Sequence, residues 1–465
     1  VASVKFWVGL VAGAAVLAGF AAPVVMRRPD RAIRVAAGDV ADALCAKTFV
    51  SGLDPGAVFA EVLDRPGIRR LRWGIRYQLD RAARTVDVSV MGLLASHVAF
   101  HDGLGCVRLN GSKAPYLPKS DIDALKVPKR PPLLPEIAGP GIVEPSDPGL
   151  KAALDHAFEE PAEPPFRRTK AVVVVHGGKV IAERYAAGIG VDTQLPGFSM
   201  TKSVINALIG ILTQKGVVTP SFPAPIPEWR AASDPRHEIE VEHLMRMTTG
   251  LALDETGSGF DPSNQMYLYD DMAGFAVKAP LIAPPGTRWH YSSATTELLA
   301  RIIRDSTGGP EQSLAFAWRE LFNPLGMRNV TVEFDPNGTL QGSNNMLASA
   351  RDWARFGLLY LNDGVVGGER ILQEDWVGFS ASATLNTDYG AGFWTNRSEH
   401  PYARGRVRIG IPHDAFFASG NLGQRVMIIP SHELVIVRLG DSVDETGDIR
   451  GLGRLVREVI AALPP

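Results

Sequence analysis

Cysteine is nearly missing from this chain of 465 residues; Cys45 and Cys106 are its only two. That excludes a scaffold built on disulfides, and the lack of any Cys-x-x-Cys spacing excludes a cysteine-held zinc or redox centre. A surplus of either charge is missing too. Lys and Arg number 48 against 50 Asp and Glu, for a formal net charge of -2, so the electrostatic pull toward nucleic acid is absent and no nucleic-acid partner is expected. No internal period recurs, which excludes a solenoid. His97 and His101 are four apart, but they lie in a stretch without a helical pattern, so no metal site is expected. No cofactor is expected either, and the glycines near residue 420 lack the Gly-Lys-[Ser/Thr] of a phosphate loop. With 45% hydrophobic residues the chain can fill one large core or two ordinary ones.

What is present is unevenly distributed. Residues 6–26 carry no charge and are rich in Ala, Val, Gly and Leu. As a helix rising ~1.5 Å per residue they roughly match a ~30 Å hydrocarbon layer. Lys5 before them and Gly19, Ala21 and Ala22 at their end also fit a secretory signal, although Pro23 makes the cleavage site imperfect. Residues 1–30 are therefore expected to be a signal peptide or a membrane anchor, with a buried core helix as the alternative. The rest of the chain would then be exported, periplasmic or anchored facing the periplasm or outside, with the membrane as a partner if the segment is uncleaved. Arg27, Arg28, Arg31 and Arg34 behind the run pull the other way, toward a cytoplasmic flank.

Residues 31–112 read as a small accessory unit, with apolar residues at helical spacing over 39–50 and strand-like alternation over 85–90. In an exported chain a Cys45–Cys106 bridge would tie this unit together; in the cytoplasm the two would be buried thiols. A proline-dense stretch, 113–150, should run extended over the surface as a connector. Residues 151–465 form the main domain. It opens with a hairpin pattern (171–175, a His176-Gly177-Gly178-Lys179 turn, 180–185) and closes with a second (426–429, Pro430-Ser431-His432, 434–439) and a helix over 450–463. Strands at both ends with helical patterns between them predict an α+β fold, α/β only in the loose sense: one antiparallel sheet built from both ends of the domain and flanked by helices.

Three segments carry chemistry. In Ser199-Met200-Thr201-Lys202 a helix beginning at Ser199 would set the lysine over the serine hydroxyl, and its free N–H groups could hold an oxyanion. Lys202 would have to be neutral to accept the proton, which the apolar run after it favours by desolvation. The second segment, Tyr291-Ser292-Ser293, offers a phenol for proton relay and a hydroxyl, on Ser293, for the lysine or the substrate. In the third, Ser419-Gly420-Asn421-Leu422-Gly423-Gln424, Gly420 and Gly423 permit close backbone approach and an N–H, that of Asn421 foremost, could complete an oxyanion hole. Read singly, each segment also fits an ordinary role: a helix-capping serine with an exposed lysine, a buried tyrosine, a β-turn.

In this order the segments resemble the serine β-lactamase and penicillin-recognising superfamily, in its class C-like branch of esterases, DD-peptidases and 6-aminohexanoate-dimer hydrolases. That pattern is Ser-x-x-Lys, then Tyr-x-[Asn/Ser], then Lys-Thr-Gly or His-x-Gly before a strand. The resemblance runs from about Lys170 to the C-terminus and is strengthened by His243-Leu244 through Thr249-Gly250-Leu251, by Pro285-Gly286 before Tyr291, by Pro324-Leu325-Gly326-Met327 and by Arg351-Asp352-Trp353. It implies a β-lactamase-like fold and a serine hydrolase working through an acyl-enzyme on a small ester or amide substrate. Ser199 would be the nucleophile, Lys202 its base, Tyr291 the relay to the leaving group, and the N–H groups of Ser199 and Asn421 the oxyanion hole. The third segment departs from the pattern, having no Lys or His before its glycine. That departure favours an esterase or amidase like the 6-aminohexanoate-dimer hydrolases over a DD-peptidase or weak β-lactamase. A catalytically silent member binding at the cell envelope is the reading from another class.

Overall fold

The structure is a computed structural model, and it describes residues 28–111, 115–116, 118, 121–256 and 260–463. The expected signal or anchor segment therefore lies outside the described residues except for positions 28–30. Among the described residues, no helix is long and apolar enough to cross a membrane.

The first element among the described residues is α1 (Pro29–Cys45), whose last turn loosens into a π-helical turn at Ala46–Val50, so the helix expected over 39–50 starts ten residues earlier. Ala37, Val40, Ala41 and Leu44 recur every three or four residues and are fully buried. After α2 (Pro55–Leu63), capped by Asp54, come β1 (Ile75–Asp80), β2 (Thr85–Val90), β3 (Leu94–His101) and β4 (Gly105–Arg108), an antiparallel sheet in chain order. Val86, Val88 and Val90 alternate into the core beneath α1. Cys45, closing α1, is disulfide-bonded to Cys106 of β4 with Cα atoms 6.1 Å apart.

The proline-dense stretch departs from the extended surface path expected of it. It holds a short helix at Ile122–Lys126 and sinks Leu134 and Ile137 into the main core. There Pro324 O accepts from Leu133 N and Leu134 N, so the segment is strapped down by hydrogen bonds that its prolines leave to their neighbours.

In the main domain α3 (Pro148–Phe158) precedes β5 (Thr169–His176) and β6 (Lys179–Tyr185). Small pieces follow: β7 (Leu195–Pro196), β8 (Val330–Val332) and β9 (Met346–Ala348) in the order β7-β9-β8, and the ribbon β10 (Val365–Val366) with β11 (Glu369–Arg370). The last strands are β12 (Trp394–Thr395), β13 (Phe416–Gly420), β14 (Gln424–Ile429) and β15 (Leu434–Gly440). The main sheet runs β12-β13-β14-β15-β5-β6, antiparallel throughout, with Val173 facing Val437 where the two ends of the domain meet. Alternation divides its side chains: Val172 and Val174 pack under α3 and the C-terminal helix, while Ala171, Val173 and Val175 face the helical core. Both expected hairpins are found, and the C-terminal helix spans Ile449–Ala461. The α+β class expected from the sequence is thereby met.

Candidate active site

The Ser199 segment forms where β7 turns into α4 (Thr201–Gln214). Ser199 sits in a 3-10 turn, Phe198–Met200, and the α-helix proper starts only at Thr201. Phe198 holds a φ of 48°, the left-handed region, so the chain turns sharply just before the serine. Every residue of α4 from Thr201 to Leu212 is buried, and Gly216 ends it in a Schellman arrangement, with Val217 N donating to Leu212 O and Gly216 N to Thr213 O, both at 2.9 Å. Lys202, one residue inside this buried helix, reaches up beneath the serine.

Lys202 Nζ donates to Ser199 Oγ at 3.0 Å, Ser293 Oγ at 3.1 Å and Ser343 O at 2.8 Å, and lies 4.9 Å from the ring centre of Tyr291. The lysine is only 3% exposed, and burial lowers its pKa to about 8 even though Glu255 and Glu297 pull upward. Tyr291 moves the other way. Burial, with the Glu255 carboxylate nearby, pushes the phenol well above its ordinary value, and the hydrogen bond with Ser199 only partly offsets this. Of the two groups beside the hydroxyl, the lysine is the one whose deprotonated form is populated at moderate pH, and the tyrosine stays a protonated phenol.

Tyr291 is delivered just ahead of α5 (Ser293–Thr307), whose N-cap Ser292 accepts from Thr295 N at 3.2 Å. Its ring is held by Trp394, stacked at 5.9 Å, and by Tyr389, edge-on at 5.9 Å. The third segment is the tight link from β13 to β14. Gly420 is required there, because a Cβ would come within 2.1 Å of Gly197 O, in the turn that carries Ser199. The Gly420 carbonyl accepts from Arg425 Nη1 at 2.9 Å, and Asn421 Oδ1 accepts from Leu422 N at 2.9 Å. Gly423 serves the framework: its carbonyl accepts from Arg438 Nη1 at 2.9 Å, and its φ is 88°.

Ser199, Tyr291, Ser293, Gly420, Asn421 and Gly423 all border one cleft of about 820 Å³, with Lys202 underneath. His97 and His101 do not line it; they lie on β3, where His97 Nδ1 is 2.7 Å from Asp87 Oδ1. Three contributors escaped sequence reasoning. Glu255 accepts from Ser293 N at 2.6 Å and Ser263 Oγ at 3.1 Å. Glu297, fully buried in α5, accepts from Ser343 N at 2.9 Å and Gly342 N at 3.3 Å, and so aims the carbonyl that receives Lys202; burial raises its pKa to about 7. A lone Glu inside an apolar helix was the visible signal for it. The third is the N-terminal unit itself, which walls the cleft with Ile33, Ala36, Lys47, Arg65, Ile68 and Arg108.

An antiparallel sheet closed from both ends of the domain, with serine, lysine and tyrosine gathered at one end, defines a β-lactamase-like α+β protein. The chain belongs to the beta-lactamase family, whose match spans residues 155–461. It is 26% identical over 294 residues to the 6-aminohexanoate-dimer hydrolase of Paenarthrobacter ureafaciens, covering 59% of this chain and 73% of that protein. In fold it is similar to a penicillin-binding protein homologue from Caulobacter crescentus, with TM-score 0.54 and 19% identity over 71% of this chain and 100% of the other. It is also similar to EstCE1, a hydrolase with promiscuous acyltransferase activity, at TM-score 0.54 and 16% identity over 67% and 97%. The resemblance drawn from the sequence motifs is borne out.

Proposed function

We propose that the protein is a serine hydrolase that cleaves a small ester or amide through an acyl-enzyme. Neutral Lys202 takes the proton of Ser199 as Oγ bonds to the substrate carbonyl carbon, and the N–H groups of Ser199 and Asn421 receive the developing oxyanion. As the carbonyl re-forms, the bond to the alcohol or amine breaks and Tyr291 protonates that leaving group, recovering its proton from Lys202. Water then attacks the acyl-enzyme by the same route in reverse, giving the acid and free Ser199. The observation that carries this reading is the 3.0 Å contact from a lysine of lowered pKa to the serine hydroxyl. The absence of a Lys or His before Gly420 favours esters and amides of the kind the 6-aminohexanoate-dimer hydrolases take over penicillins. The Cys45–Cys106 bridge supports an oxidising, extracytoplasmic location.

A fluorescent fluorophosphonate tests this. Labelling should map to Ser199, vanish in Ser199→Ala and weaken strongly in Lys202→Ala. Absence of label on the folded wild-type chain would overturn the catalytic reading and put an envelope-binding role in its place.

A further inference from the structure

One end of the N-terminal sheet carries a surface of which only Arg70 borders the cleft. Trp73, Met91 and Leu93 are 65%, 54% and 83% exposed there, and Arg69, Arg70, Arg72 and Arg76 around them are exposed as well. The backbone gathers these residues into one tip. Met91 N donates to Gly74 O at 2.8 Å, Ile75 pairs with Val90, and Leu93 N donates to Val90 O at 3.2 Å. Arg76 Nη1 donates to Trp73 O at 3.1 Å and to Ile75 O at 2.7 Å, which fixes the loop that presents the indole. No Asp or Glu occurs in 65–79 or in 88–96. Asp80 lies at the far end of the hairpin, opposite Thr85.

We propose that this tip docks on an anionic lipid surface. Indole rings settle at the headgroup level of a bilayer, aliphatic side chains beside them enter the acyl boundary, and guanidinium groups around them pair with lipid phosphates. The tip has all three, and the two segments that form it contain no acidic residue. In a chain whose net charge is -2, four arginines gathered at one end are a local excess that the remainder must balance with acid, so the molecule is oriented toward a negative surface. The position agrees with this. Helix α1 begins at Pro29, directly behind the uncharged apolar residues 6–26, and Pro29 and Ile33 border the same cleft as Ile68, Arg70 and Leu71 from the tip loop. The place where the apolar segment joins the fold and the basic apolar tip therefore share one side of the molecule. Nucleic acid would leave Met91 and Leu93 without a partner, and a second copy would need an apolar face ringed with acid. The inference does not rest on the hydrolase reading.

The test uses the full chain. With Cys45 and Cys106 bridged, Leu93→Cys supplies a single free thiol for an environment-sensitive fluorophore, and Ala95→Cys beside it supplies a second, independent reporter. Each labelled chain is reconstituted with vesicles of phosphatidylcholine, with and without phosphatidylglycerol. The expected result is blue-shifted emission, quenched by spin-labelled lipid, in the anionic vesicles. The shift should be lost in an Arg69→Ser/Arg72→Ser background and at high salt, while a reporter at exposed Val217→Cys stays unshifted. Water-like emission in both vesicles from both tip reporters would overturn the proposal. A shift that appears in detergent without lipid and grows with protein concentration would overturn it in favour of a second copy.

Discussion

Three oxygens surround the ammonium of Lys202, from Ser199, Ser293 and Ser343, and take all three of its protons. Those bonds favour the charged form, burial disfavours it, and burial wins: the pKa stands at about 8 against an ordinary 10.5. Roughly a tenth of the molecules then hold the neutral base at neutral pH, and the fraction grows as pH rises through 8. We predict that kcat/KM for an ester substrate increases with pH along a single limb centred near 8 and then levels off. Lys202→Ala should remove the limb and lower kcat/KM by about 10²–10⁴-fold, the range typical of a lost general base. A flat profile across this range in the wild-type chain would rule out Lys202 as the base. The phenol of Tyr291, pushed upward by burial, adds no second limb at lower pH.

The elements meet most tightly where the end of β13 lies against the turn before α4. Gly420→Ala inserts a methyl within 2.1 Å of Gly197 O, so either the strand end or the nucleophile turn must give way. Displacement of a reacting group by about 1 Å costs on the order of 10²-fold. The expected outcome is a fall of that size in kcat with an intact circular-dichroism spectrum, and full activity in the variant would show that the strand end has no part in holding the oxyanion. This junction also marks how far the sequence could be read. The hairpins were legible because β-branched runs flank turn residues, and Ser199 with Lys202 was legible because helical spacing relates neighbours in the chain. Asn421 and Tyr291 were reachable only through their order along the chain, since nothing local ties them to the serine. Glu255 and Ser343 were not legible at all: their bonds to Ser293 and Lys202 depend on how distant segments are stacked, and a backbone carbonyl leaves no mark in sequence. The helix start was misplaced by two residues because Phe198 takes a left-handed conformation that an aromatic side chain does not advertise.

Across the whole molecule, the N-terminal unit is joined to the main domain by ion pairs, the innermost of them buried. Lys47 pairs with Asp441 at the end of β15, Arg65 Nε lies 3.5 Å from the other carboxylate oxygen, and Arg168 and Lys170 pair with Asp64 and Glu61. Burial alone would raise the Asp441 carboxyl, but Lys47 and Arg65 more than reverse this and hold it well below the usual carboxylate range. Asp441→Asn removes the buried counter-charge of Lys47 and leaves it only Glu61 Oε2, at 3.6 Å, for an expected loss of up to about 3–5 kcal/mol read from the denaturant midpoint. Replacing both Cys45 and Cys106 by serine releases a loop with a sequence separation of 61. The expected destabilisation is about 4 kcal/mol, and an unchanged midpoint under reducing conditions would contradict it.

The pairing of β5 with β15 has a further consequence, in the order of events during synthesis. The first strands of the main sheet leave the ribosome long before the last ones exist, and Val173, paired on one edge with Glu183, lacks its other partner until Val437 arrives. The N-terminal unit, whose strands follow one another in chain order, can close early, whereas the sheet that borders the Ser199 cleft cannot close until the chain is almost complete. A sheet assembled this way stays unlocked through most of translation, a condition compatible with threading the polypeptide through a narrow pore before it folds.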